Sequence, residues 1–102
     1  MPDEKEDSFP VFIERRLKLR RSEAEADVDV VVEIGKPYWT EPGIEAACPV
    51  AIRGCVGRVN DIRSIDPLSA MKQSIQFVEK YLEGPRKGEK LFWPDGEEYS
   101  AN

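Results

Sequence analysis

The chain has 102 residues, with 15 basic and 20 acidic side chains, no histidine, two cysteines and eight prolines. An apolar share of 40% and a net charge of −5 suit one domain with a small core and disfavour binding to phosphate backbones. No run approaches the roughly 20 apolar residues that span a bilayer. The start, Met1-Pro2-Asp3-Glu4-Lys5-Glu6-Asp7, is acidic where a signal or transit peptide is basic, so a soluble cytoplasmic protein with neither membrane nor nucleic-acid partners is expected.

Residues 1–8 carry five charges and too little apolar surface to offset their ordering, which predicts a disordered acidic tail before a single domain over 9–99; residues 100–102 read as a flexible C-terminus. In Phe9–Arg21, Val11, Ile13, Leu17 and Leu19 share one parity, while Phe12, Glu14, Arg16, Lys18 and Arg20 share the other. That alternation predicts a strand with one buried face. Arg15 falls on the apolar parity, which suggests an edge, a rim or a buried ion pair. After a polar link at residues 22–26, Asp27–Ile34 alternates again, with Val28, Val30, Val32 and Ile34 inward. The two strands should pair as an antiparallel hairpin, setting Arg16, Lys18 and Arg20 against Asp27, Asp29 and Glu33.

Gly35-Lys36-Pro37 ends the second strand. The breakers that follow, Pro42 and Gly43 among them, predict an irregular loop carrying Tyr38 and Trp39. Ala47–Cys55 reads as one central strand, and Arg58–Ile65 as a shorter returning strand. Asp66-Pro67 is a helix start, since aspartate caps the free amides and proline suits the first helical position. Helical spacing places Leu68, Met71, Ile75, Val78 and Leu82 on one stripe, with Ala70, Phe77 and Tyr81 as a shoulder. Gly84-Pro85 supplies the stop. Beyond a basic Arg86-Lys87-Gly88, the turn signal Pro94-Asp95-Gly96 predicts a short final strand or hairpin over Lys90–Tyr99.

The chemistry-bearing residues are few. With no histidine the commonest general base and metal ligand is missing, and no phosphate loop or dinucleotide fingerprint is present. Cys48 and Cys55, seven apart on an expected strand, point to opposite faces; a bridge between them requires that strand to break. Two cysteines without histidine also make a poor zinc set. Buried free thiols, no metal, no cofactor and no catalytic residue are expected. The basic run from Arg15 to Arg21 reads as the charged side of a sheet rather than a phosphate patch.

The run Arg16–Ile34, then Gly35-Lys36-Pro37, then Cys48-Pro49-Val50-Ala51-Ile52-Arg53-Gly54, then Ile65-Asp66-Pro67-Leu68 opening a helix, resembles a family of small bacterial domains of unknown function. The likeness covers roughly residues 12–95. Where that pattern has a glycine just before the aspartate's turn, this chain has Ser64. The resemblance implies a curved antiparallel sheet with one long helix and a bacterial source, and it brings no catalytic residues.

The expected fold is α+β: an antiparallel sheet of four or five strands with one long amphipathic helix across one face. Its expected core is Val11, Ile13, Leu17, Leu19, Val28, Val30, Val32, Ile34, Val50, Ile52, Leu68, Met71, Ile75, Val78 and Leu82. The leading functional expectation is a non-catalytic protein-interaction module, acting on a protein partner or on itself as a homodimer. An immunity-type inhibitor of a basic toxin is a special case, since acidic charge steers toward such a target. A small-molecule binder using the space between sheet and helix is the alternative, and an enzyme using Cys48 or Cys55 the third reading. Tyr38, Trp39, Phe77, Tyr81 and Trp93 are the candidate binding residues, because aromatics bury large areas with few frozen torsions. For Trp39 the competing reading is a plug at the end of the core.

Overall fold

The structure, a computed structural model, describes residues 8–84 and 88–100. Residues 1–7 of the tail expected over 1–8, the Pro85-Arg86-Lys87 stretch and the last two residues lie outside the described residues. The fold is α+β, with a five-stranded antiparallel sheet, a second sheet of three strands and one long helix. Its elements in chain order are β1 (Val11–Arg20), β2 (Val28–Gly35), β3 (Tyr38–Glu41), β4 (Glu45–Cys48), β5 (Val50–Arg53), β6 (Gly57–Arg58), β7 (Ile62–Ser64), α1 (Pro67–Glu83) and β8 (Lys90–Phe92). The larger sheet runs β6-β5-β2-β1-β8 and the smaller β3-β4-β7.

The β1–β2 hairpin forms as its alternation requires, with Leu17 opposite Val30 and Lys18 opposite Asp29. Two of the three expected charge pairs are made: Lys18 with Asp29, and Arg20 with Asp27 through bonds of 3.0 and 3.2 Å. The third is not. Arg16 bonds Glu14 on its own strand at 2.6 Å, because Val31 stands opposite it, and Glu33 pairs instead with Arg53 of β5.

The middle of the chain departs from the sequence reading. Residues 38–48 form a hairpin, not an irregular loop. Pro42 and Gly43 are its turn: Ile44 N–H donates to Glu41 O at 2.9 Å and Gly43 takes φ 75°, with proline and glycine at the two central positions. The expected strand over 47–55 is two, β4 and β5, divided at Pro49, and the expected strand over 58–65 is likewise divided into β6 and β7. Pro49 has no amide to give to a ladder. Across this break the registers slip. Ile34 faces Val50 and Tyr38 faces Ala47, so four steps along one neighbour span three along the central strand. The same mismatch lies on the other side, between Ala51 with Arg58 and Cys48 with Ile62. An extra residue in each flanking strand bends it and raises the local twist, and the chain passes from one sheet to the other along that line. The break does not bring a disulfide: Cys48 and Cys55 are both free, and of the two thiols expected to be buried Cys48 is, while Cys55, in the turn after β5, is only half-buried.

Helix α1 starts and stops where the sequence places it. Asp66 accepts from Ser69 N–H at 2.7 Å, Pro67 follows, and Gly84 closes the end. Ser64, at the end of β7, meets Ser69 Oγ at 2.8 Å and accepts from Gln73 at 2.8 Å, which ties the strand to the helix. The buried side of α1 is Ala70, Ser74, Val78 and Leu82, not the stripe of its largest apolar residues. Relative to expectation the helix is rolled by about 60°. Leu68 is 80% exposed and Ile75 37%, and of the strand residues assigned to the core Val11 and Ile13 are also exposed. The shoulder of Ala70, Phe77 and Tyr81 is turned inward: Ala70 is fully buried and Tyr81 packs on the core. The reason is size. Ala70 and Ser74 lie over a strand with Ala46 and Cys48 on the facing side, all fully buried, so the backbones approach closely and dispersion contacts multiply. Ser74 tolerates this because its hydroxyl donates to Ala70 O at 2.8 Å.

At the C-terminal end β8 pairs with Lys18–Arg20 of β1, and the chain returns through a tight turn in which Trp93 N–H donates to Glu97 O at 2.7 Å. The expected final hairpin is present.

Replacing Leu82 by alanine should cost about 2–5 kcal/mol, whereas Leu68→Ala should stay within about 0.5 kcal/mol, as read by urea denaturation. Gly54 and Gly57 both have positive φ, but a Cβ at Gly54 would stand 2.2 Å from Asp29 O while Gly57 faces open space. Gly54→Ala should therefore cost about 2–5 kcal/mol and Gly57→Ala about 1–2 kcal/mol.

Candidate functional site

The candidate aromatics do not gather in one place. Tyr38 and Trp39 are neighbours on β3, so they point to opposite faces. Tyr38 lies opposite Ala47 and donates its hydroxyl to Asp61, joining a polar cluster on the side away from the helix. There Arg58 bridges to Asp61 at 2.7 Å, and Arg63 to Glu45 at 2.6 Å; Thr40 also bonds Glu45, at 2.7 Å. Trp39 lies opposite Ala46, whose side chain belongs to the core beneath the helix. Trp39 thus stands on the helix-bearing side, yet it is 44% exposed. It does not plug the core. All four residues of β3 are exposed, and among the described residues β3 has a strand partner on one side alone.

Trp93 sits elsewhere, in the final hairpin. Its ring centre is 5.1 Å from that of Tyr99, and the Arg15 guanidinium lies 5.5 Å from Trp93 and 5.8 Å from Tyr99. Arg15 also donates to the Tyr99 hydroxyl at 3.0 Å. The anomalous arginine of β1 is therefore held by aromatic faces, an arrangement its planar, weakly hydrated head suits, and among the described residues it makes no ion pair. The expectation of an edge is met locally, since β8 covers β1 only from Lys18 onward. Beside Arg15 the helix and sheet enclose a cleft of about 210 Å3 lined by Ile13, Glu14, Arg15, Val32, Ile34, Ile75, Val78 and Glu79. Phe77, Tyr81 and Trp93 do not line it. Tyr99, Ile13 and Ile75 adjoin this region unannounced by any local signal, because it is assembled by pairing between distant segments.

Electrostatics differ between the two places. Burial pushes the Asp61 carboxyl up, but hydrogen bonds from Tyr38 and Arg58 and the charges of Arg58 and Arg63 outweigh it and leave its pKa below the ordinary value. The same bond to Asp61, with burial, raises the Tyr38 phenol. Cys48 is fully buried, its thiol donates to Gly35 O at 3.4 Å, and burial raises its pKa. This opposes formation of the thiolate that nucleophilic chemistry uses. Among the described residues no cluster of three or more histidine, cysteine, aspartate or glutamate side chains is placed to hold a metal, and no helix is long and apolar enough to cross a membrane.

Comparisons with protein-family models, with curated proteins and with solved structures returned no match.

The signs of the two shifts fix a test. Asp61, lowered on folding, contributes stability that is complete above the ordinary carboxylate value near 3.9 and is lost as pH falls through its lower folded value. Tyr38, raised on folding, contributes below the ordinary phenol value of about 10 and loses that contribution as pH rises through its higher folded value. Asp61→Asn should weaken the acid-side loss of stability in pH-dependent denaturation. In ultraviolet titration it should also move the Tyr38 phenol back toward the ordinary range, with Tyr38→Phe identifying that transition.

Proposed function

We propose that this chain is a non-catalytic protein-interaction module that receives an extended segment of a partner protein along the open edge of β3, with Trp39 as the anchor. The supporting observation is a half-exposed tryptophan on an edge strand whose four residues are all exposed. An unpaired strand edge offers a row of amides and carbonyls to an incoming strand. A large aromatic beside that row supplies apolar area at little entropic cost. Tyr38 has a different part in this reading. Its hydroxyl is engaged by Asp61, so it braces β3 from the far side and leaves contact with the partner to Trp39.

Capture of binding proteins from lysate, followed by titration of the purified partner, tests the proposal. Trp39→Ala should weaken binding by about tenfold or more with the fold retained by circular dichroism, while Tyr38→Phe should bind as the parent chain does. Undiminished binding by Trp39→Ala, or no captured protein with any form, overturns the reading.

A further inference from the structure

Arg15 differs from every other arginine among the described residues. Arg16, Arg20, Arg21, Arg53, Arg58 and Arg63 each pair with a carboxylate of this chain. Among the described residues Arg15 pairs with no carboxylate, and its hydrogen-bond partner is the Tyr99 hydroxyl. It presents five N–H donors in a rigid fork. One of them is used on the Tyr99 hydroxyl, and the aromatic faces of Trp93 and Tyr99 steady the head without satisfying its donors.

The cleft that Arg15 lines is otherwise apolar where it is deepest. Val32 and Ile34 of β2 form its floor at 3% exposure each, with Val78 on the helix side at 4%. Ile13 and Ile75 stand at its two lips, both open to solvent. The cleft exists because α1 is rolled toward its small residues, which leaves Ile75 hanging beside the sheet instead of filling the gap. Two acids also border it. Glu14 is engaged by Arg16, and Glu79 is exposed on the helix, where water and salt screen its charge.

We propose that this cleft binds a small aliphatic monocarboxylate, with the hydrocarbon against Val32, Ile34 and Val78 and the carboxylate on the free donors of Arg15. The geometry of the fork suits a carboxylate, which accepts two parallel N–H bonds. The apolar floor supplies the remaining affinity by excluding water from the chain. The volume restricts the ligand's size: about 210 Å3 lies below the range of about 300–1,000 Å3 typical of drug-sized sites, so a short acid is the fitting occupant. This site is separate from the β3 edge and does not depend on the interaction reading.

The test is a titration of the full chain with hexanoate, followed by the methyl resonances of Ile13, Val32, Ile34, Ile75 and Val78. Hexanamide, which has the same chain and no charge, is the control. Saturable shifts confined to these methyls, with hexanamide at least about tenfold weaker, are the expected result. Arg15→Gln should reduce hexanoate binding to the level of the amide. Because Arg15 also braces the final hairpin, the comparison of acid and amide on the unaltered protein carries the decision. Equal affinity for hexanoate and hexanamide, shifts located away from the cleft, or no saturable shift at all overturns the proposal.

Discussion

The missing amide of Pro49 is the constraint from which the rest of the architecture follows. A strand running from Glu45 to Arg53 would otherwise give one continuous sheet. At Pro49 the central strand accepts a bond from Gly35 N–H at 2.9 Å but has no N–H of its own to give. Each neighbouring strand takes up one extra residue there. Gly35 has its place in this crossing because a side chain would meet the ring of Phe9 at 2.8 Å and that of Pro49 at 3.1 Å. The second sheet, with β3 as its open edge, exists because the first cannot continue through this line.

The position of the helix is a consequence of that division. Its principal contacts are with β4 and β7, the strands of the second sheet, and it touches β2 less. On β4 the residues under the helix are small, Ala46 and Cys48, and the helix answers with Ala70 and Ser74. Close packing of small residues sets the roll, and larger ones such as Leu68 and Ile75 are left outside. The N-terminal half of β1 is then uncovered on two counts, by the helix above and by β8 at its edge. Both the Arg15 cleft and the exposed apolar lips arise from that single displacement.

The charged side of the sheet has a simpler logic. Alternation puts its acids and bases outward on neighbouring strands, and pairing follows with whichever opposite charge the register supplies. Exposed pairs of this kind contribute little individually, about 0–1 kcal/mol. They do discourage like-charged or apolar intruders between the paired residues, while exposed apolar side chains remain elsewhere, Phe12 and Trp39 among them. Phe9 closes the outer face over Gly35, with the Arg58 and Arg53 guanidinium groups 4.8 and 6.0 Å from its ring centre.

The amino-acid sequence by itself determined what depends on near neighbours: the alternating β1 and β2, the helix from its Asp66 cap to Gly84, the final turn at Pro94-Asp95-Gly96, and free cysteines. It also marked Trp39 as a residue out of the ordinary and Arg15 as one on the wrong parity. Local punctuation misled at Pro42 and Gly43, because a turn residue that ends one strand can equally join two. Tertiary structure alone decided which side of the helix is buried, since spacing ranks residues by hydrophobicity while packing selects by size and fit against the opposing strand. It alone set Trp93 and Tyr99 beside Arg15, because residues 84 positions apart meet through the pairing of β8 with β1. No periodicity within either segment carries that information.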